Sequence, residues 1–140
     1  MIVERYLDCL RNADADGIDA LFSRTAHVDS PLYGRREARP FYADLFSVTN
    51  DSTIDLIDVL YSKKGPQIAA HFRYAWTMSN GELVTFDCVD LFRLEEEAAP
   101  QGRRWFGLAS RPPTWRIAEL KIIYDTHEAR PNFDRVIGGD

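Results

Sequence analysis

Two long segments of alternating side chains, joined by Asn80-Gly81, constrain the fold more than any other feature of the sequence. In residues 67–78 and 83–94 one face is almost wholly apolar, and Asp90 is its only charged member. Alternation of this kind places side chains on one face of a strand, and Asn-Gly favours a tight hairpin turn. The sequence therefore predicts an antiparallel hairpin. Its inward side chains are Ile68, Ala70, Phe72, Tyr74, Trp76 and Met78, followed by Val84, Phe86, Cys88, Asp90, Phe92 and Leu94.

The remaining patterns place helices before strands. Apolar spacing predicts helices at 2–12, 16–22 and 36–46, and β-branched and aliphatic runs predict strands at 26–30, 53–61 and 115–124. This order indicates an α+β fold, in which a curved antiparallel sheet wraps around the N-terminal helices as a cone with an internal pocket. A length of 140 residues predicts one domain, residues 1–140.

Two segments have no assigned element. Residues 95–114 are charged and contain prolines, but they also carry Trp105, Phe106 and Leu108. The tail, residues 125–140, is mixed in the same way. Each could extend the sheet, cover the mouth of the cone or join a dimer interface.

Composition narrows the classes of function. The chain contains eight Phe, six Tyr and three Trp, which predicts either a cavity walled by rings or a core rich in Phe. The net charge is −5 with no basic stripe, so we expect neither nucleic acid nor a membrane surface as a partner. The first ten residues carry Glu4 and Asp8 and do not resemble a signal peptide, so we expect a cytoplasmic protein.

Cysteine and histidine usage predicts no metal site and no bound cofactor. Cys9 and Cys88 are far apart in sequence, and His27, His71 and His127 are scattered singly. Neither residue type shows the spacing of metal ligands, and no glycine-rich phosphate loop is visible. We interpret the cysteines as two buried thiols in a reducing compartment.

Asp90 and Tyr6 are the strongest candidates for chemistry. Desolvation on the apolar strand face would favour the neutral form of the Asp90 carboxyl, which could then donate a hydrogen bond. The alternative is a structural acid bound to a backbone N–H or to an arginine. Tyr6 shares the apolar stripe of the first helix with Val3, Leu7 and Leu10, where a tyrosine is either a core residue or a hydrogen-bond donor.

A family resemblance is carried by the N-terminal half and the second hairpin strand. The stretch VERYLDCLRNADADGIDALFSRTAHVDSPLYGRREARPFYADLF, followed by FDCVDLFRL, resembles the SnoaL-like and ketosteroid-isomerase-like branch of the nuclear transport factor 2-like superfamily. The resemblance covers about residues 2–94, and residues 115–124 fit the last strand. It implies an aromatic-lined cone.

The resemblance also implies roles for individual residues. Tyr6 and Asp90 match the oxyanion-hole tyrosine and the neutral aspartic acid of ketosteroid isomerases, an enzyme known for this arrangement. Tyr42 matches a supporting tyrosine. Ser30 stands where those isomerases carry the aspartate base, and Asp29, one residue earlier, should point to the opposite face of its strand. Further residues expected to contact substrate are Ser30, Tyr42, Trp76, Phe86 and Tyr124.

Other acidic residues offer alternatives. Asp58 could line the cone or mark a sheet edge, and Asp87 is expected in a cross-strand ion pair. Arg73 with Asp90 would resemble the Asp-Arg-Asp arrangement of limonene-epoxide-hydrolase-like relatives, although alternation places Arg73 on the other face.

Two functional hypotheses follow. In the first, the chain is a cofactor-free isomerase, dehydratase or hydrolase acting on a small hydrophobic or aromatic molecule. In the second, it is a non-catalytic ligand-binding or dimerisation module, which the loss of the aspartate base favours. We also expect a homodimer through the outer sheet face around His71, Arg73 and Thr77.

Overall fold

A computed structural model describes residues 1–97 and 114–138. The helices are α1 (Ile2–Arg11), α2 (Ala15–Leu21), α3 (Ala38–Ser47) and α4 (Ala129–Gly138). The strands are β1 (Phe22–Ser30), β2 (Gly34–Glu37), β3 (Thr49–Tyr61), β4 (Gln67–Met78), β5 (Leu83–Glu97) and β6 (Thr114–Ile123). The predicted α+β class is confirmed.

The predicted hairpin is formed by β4 and β5. Residues pair across it in antiparallel register, for example Phe72 with Cys88 and Ala70 with Asp90. Gly81 has a φ of 85°, a region that a residue without Cβ enters at little cost, and its N–H donates to the Met78 carbonyl oxygen at 2.9 Å. The Asn80 side chain accepts from the Glu82 N–H at 3.0 Å. The Asn-Gly turn therefore sets the hairpin as its sequence predicts.

The strands form one curved, unclosed sheet in the order β2-β1-β6-β5-β4-β3. The four strands from β3 to β6 are antiparallel, as predicted. One pairing corrects the prediction of a wholly antiparallel sheet: β1 runs parallel to β6, with Val28 beside Leu120. Alternation shows which side chains share a face of a strand, but it does not show which other strand lies beside it. This pairing of distant segments therefore had no local signal.

Several element boundaries also differ from the sequence prediction. Strands β1 and β3 each begin four residues early, β2 is too short and polar to give a strand pattern, and α4 occupies the unassigned tail. Residues 95–97 continue β5, and the apolar residues of 98–113 lie outside the described residues. Pro40 falls in the first turn of α3, as expected, because the first N–H groups of a helix need no intrahelical partner.

The core lies between the helices and the apolar face of the sheet. All six predicted inward residues of β4 are buried, and so are Val84, Cys88, Asp90 and Phe92 of β5. The Tyr6 ring on α1 meets the Phe92 ring edge-on at 5.2 Å, which places α1 against this face. The outer face carries both polar side chains and exposed apolar ones, such as Leu91 and Ile123. No helix among the described residues is long and apolar enough to cross a bilayer.

Candidate functional site

A cavity lies between the apolar sheet face and helices α1 and α3. It encloses about 470 Å³ of atom-free space, counting the part open to solvent, but only about 50 Å³ is wide enough for water molecules. One water needs about 10–15 Å³ by this measure, so this space corresponds to only a few water molecules. A phenol-sized ring fits only if some lining side chains shift. Six of the seven predicted site residues line it: Tyr6, Ser30, Trp76, Phe86, Asp90 and Tyr124.

Tyr42, which is also predicted to contact substrate, does not line the cavity. Its ring is buried behind the cavity wall, and its hydroxyl lies 2.6 Å from the Tyr6 hydroxyl. When Tyr42 donates this hydrogen bond, the Tyr6 proton is free to point into the cavity. Tyr42 thus has the supporting position that the family resemblance implied, because α3 packs it directly against Tyr6.

Burial holds both tyrosines in their neutral form. The pKa of Tyr6 lies well above its ordinary value, chiefly because the phenolate would be desolvated and also because Tyr42 and Asp90 lie nearby. Burial likewise raises the pKa of Tyr42. The Tyr6 hydroxyl is therefore a proton donor throughout the physiological pH range.

Asp90 is the acid of the cavity. Its side chain is almost wholly buried, at 1% exposure, because β5 alternates and the apolar face turns toward the helices. Burial raises its pKa to about 7, an effect that a hydrogen bond from Cys88 partly offsets. The Cys88 sulfur lies 3.3 Å from Oδ1, and no described side chain hydrogen-bonds Oδ2. Asp90 is therefore half-protonated near neutrality, with one oxygen available to a ligand.

Aromatic rings form much of the remaining wall. Phe86 and Tyr124 are stacked, with ring centroids 4.1 Å apart and planes inclined by 18°. Trp76 is fixed by a hydrogen bond from its indole N–H to the Thr49 hydroxyl at 2.8 Å. These flat surfaces favour planar apolar ligands.

The position that the resemblance assigns to the isomerase base holds no carboxylate. Ser30 lines the cavity, and its hydroxyl accepts from the Leu32 and Tyr33 backbone N–H groups at 3.3 and 3.4 Å. Asp29 lies on the outer face, as its strand position predicts, with its carboxylate 3.5 Å from Arg35 and a side chain 45% exposed. A one-residue displacement along a strand thus separates Asp29 from the cavity.

The other acidic alternatives also lie outside the cavity. Arg73 pairs with Asp87 at 3.1 Å on the outer face, which confirms the cross-strand ion pair and contradicts an Asp-Arg-Asp arrangement with Asp90. Asp58 is exposed on the edge strand β3, next to a register shift, and accepts from the Val59 N–H. Within residues 1–97 and 114–138, no three His, Cys, Asp or Glu side chains are placed to hold a metal ion.

Sequence reasoning missed several lining residues. Tyr74 lines the cavity and its hydroxyl lies 2.7 Å from that of Ser52. Tyr74 and Cys88 were on the predicted apolar faces, so their alternation could have identified them. Tyr33 gave no such signal, because it belongs to a turn and is held by Phe133 of α4, with ring centroids 5.0 Å apart.

Together these groups form a largely aromatic cavity in which Tyr6 and the neutral form of Asp90 can both donate a proton. A neutral carboxyl and a tyrosine hydroxyl can hydrogen-bond an oxygen atom of a ligand and stabilise negative charge there. Tyr6 and Asp90 are the only groups in this arrangement that the sequence had singled out for chemistry.

Comparison with known proteins agrees with this architecture. The chain resembles an NTF2-like protein of unknown function from Exiguobacterium (17% identity, TM-score 0.64, covering 89% of this chain and 98% of that one). A ketosteroid isomerase-like protein from Erwinia carotovora atroseptica matches at 14% identity and a TM-score of 0.63 (88% and 90%). The epoxide hydrolase/cyclase-like enzyme SalBIII, which has a role in pyran ring formation in salinomycin, matches at 22% and 0.65 (89% and 88%).

These similarities show the fold. No curated protein matches the chain. The model of the SnoaL-like domain matches residues 3–99, which is more than half of the sequence. The chain therefore belongs to the SnoaL-like domain family, with the nuclear transport factor 2-like fold.

Proposed function

We propose that the cavity binds a small, planar, largely apolar molecule and hydrogen-bonds one of its oxygen atoms through Asp90 and Tyr6. The observation that carries this proposal is the buried Asp90 carboxyl, whose Oδ2 has no described partner in a cavity walled by rings. An oxygen that lines an apolar cavity, and that no described side chain binds, is open to a ligand, and a hydrogen bond formed there is little weakened by competition from water.

The same pair could act in catalysis without a cofactor. A carboxyl with a pKa of about 7 can both give and accept a proton near neutral pH. With Tyr6 it would polarise a carbonyl, phenol or epoxide oxygen, for which preorganised donors contribute about 3–4 kcal/mol. We therefore propose an isomerase, dehydratase or hydrolase. Related folds include a ketosteroid isomerase-like protein and an epoxide hydrolase/cyclase-like enzyme.

Ser30 favours a second candidate, non-catalytic ligand binding. It stands at the position of the isomerase base, and Asp90 is the only Asp or Glu among the described lining residues. A reaction that needs one group to remove a proton while another stabilises the oxyanion lacks its second carboxylate. Binding without turnover needs only the rings and the two donors.

Titration with 2-naphthol, followed by its fluorescence, tests the proposed site. We expect binding to wild type at pH 6, where Asp90 is mostly protonated, and weaker binding at pH 8.5, where Asp90 is ionised and no longer donates a hydrogen bond to the naphthol oxygen. Tyr6→Phe and Asp90→Asn should each weaken binding at pH 6 by about 1–3 kcal/mol. At pH values below the pKa of the naphthol itself, the affinity of Asp90→Asn for 2-naphthol should not depend on pH.

Asp87→Asn is the matched control, because Asp87 lies on the same strand but on the outer face. It should bind 2-naphthol as wild type does. Equal affinity for wild type, Tyr6→Phe and Asp90→Asn would show that both residues belong to the core, and the proposed site would be wrong.

A further inference from the structure

The Cys88 thiol is the described side chain that hydrogen-bonds Asp90, and it has no role in the function proposed above. The two residues are two apart on β5 and share its inner face, and both side chains are buried. Sγ lies 3.3 Å from Oδ1, a distance at which a thiol hydrogen bonds a carboxyl oxygen. We propose that Cys88 is a positioning residue, which keeps the proton of the neutral Asp90 carboxyl on Oδ2, the oxygen available to a ligand.

The reason lies in how the two available hydrogens are distributed. A neutral carboxyl has one O–H and the thiol has one S–H, while sulfur is a weak acceptor. If the thiol donates to Oδ1, the carboxyl proton on Oδ2 is free for a ligand, and both hydrogens are used. If instead Oδ1 carries the proton, that proton has only the sulfur as an acceptor and the S–H loses its partner.

The titratable groups around Asp90 do not change their charge near neutral pH. The titratable groups near Asp90 are Tyr6 from α1, Tyr42 from α3, Tyr74 from β4 and Cys88 from β5, and Tyr33 and Tyr124 also line the cavity. Burial raises the pKa of each, so all stay protonated between pH 5 and pH 9. The described lining includes no Lys, Arg or His. The Cys88 thiol therefore stays protonated and can act as a hydrogen-bond donor.

The inference can be tested without any ligand, by following the Asp90 side-chain carbon by NMR during a pH titration. Cys88→Ser supplies a stronger donor of similar size, and Cys88→Ala supplies none. Because the donor stabilises the carboxylate, the midpoint for Asp90 should rise by about half to one pH unit in Cys88→Ala and fall below that of wild type in Cys88→Ser. Cys9→Ala, at the other cysteine, should leave the titration midpoint of Asp90 unchanged.

A ligand measurement then connects the thiol to binding, and this part rests on the proposed function. At pH 6 the affinity for 2-naphthol should fall about 3-fold to 10-fold in Cys88→Ala and be restored in Cys88→Ser. An Asp90 midpoint that is the same in wild type, Cys88→Ala and Cys88→Ser would overturn the inference. The expected midpoints without any naphthol binding would instead support the role of Cys88 and refute the proposed function.

Discussion

Strand β5 carries two aspartates, three residues apart, whose side chains lie in opposite surroundings. Asp87 points to the outer face, where its side chain is 60% exposed and pairs with Arg73 at 3.1 Å and with His71 at 3.8 Å. Asp90 points to the inner face, where it is buried among rings, with the Cys88 thiol as its described hydrogen-bond partner. The same side chain on the same strand is thus solvated and paired at one position and desolvated at the other.

The difference separates a surface ion pair from a candidate functional group. An exposed ion pair such as Arg73–Asp87 contributes about 0–1 kcal/mol and is screened by salt. A buried carboxyl without a cation costs stability, and it is the kind of group that clusters at functional sites. Exposure and partners, rather than residue type, therefore distinguish Asp90 from Asp87.

The largest expected effect is on the pH dependence of stability. Because the native pKa of Asp90 is raised from 3.8 to about 7, the native state holds a proton that the unfolded chain has lost between these values. Stability should therefore fall as pH rises from about 4 to 7, and level off above 7. Relative to Asp90→Asn, wild type should lose about 2–3 kcal/mol between pH 5 and pH 8 in urea unfolding.

The control for this experiment is Asp87→Asn, which should show the pH dependence of wild type. If Asp90→Asn and wild type have parallel stability curves, then Asp90 is ionised in the native state and the contrast between the two aspartates fails.

A second prediction concerns the outer face, where a dimer interface would change the surroundings of Asp87. Leu91 is 41% exposed there, and its cross-strand neighbours are Ala69 and Lys121, with Ile123 nearby and 44% exposed. We propose that this patch and the surface around His71, Arg73 and Thr77 join two copies of the chain, in an interface of about 1,600 Å². Asp87 would then lie in or beside that interface.

Light scattering at micromolar concentration should show a dimer for wild type and a monomer for Leu91→Glu, because the variant buries a charge in the interface. Ile137→Glu on α4, at a residue 59% exposed, should stay dimeric. A monomeric wild type would contradict the proposed dimer and leave Asp87 fully solvated.

The smallest expected effect tests a third aspartate. Asp29 lies on the outer face beside Arg35, and Ser30 cannot serve as a carboxylate base in the cavity. We expect no ketosteroid isomerisation above background by wild type, and no change in Asp29→Asn, in an absorbance assay of the conjugated product. Clear wild-type turnover that Asp29→Asn abolishes would show that the outer aspartate reaches the cavity.

Much of the fold was predictable, because its signals are local. The alternation of β4 and β5 fixed which side chains are buried, and Asn80-Gly81 fixed the hairpin between them. Strand β2 and helix α4 were not predicted, since one has four residues and the other has no strong apolar stripe in the sequence. Their positions depend on contacts with distant segments, such as Phe133 against Tyr33.

Some features of the candidate site could likewise be predicted from the sequence, and others could not. The sequence by itself determined that Asp90 lies on an apolar strand face, that Tyr6 lies on an apolar helix stripe and that Asp29 and Ser30 point in opposite directions, because each follows from the period of one element. Only the tertiary structure decided that Tyr42 lies behind Tyr6, that β1 runs parallel to β6 and that α4 holds Tyr33 at the cavity. These features join residues far apart in sequence, and the physical reason is packing: which apolar surfaces meet depends on the shapes of all the elements together, and no single segment contains that information.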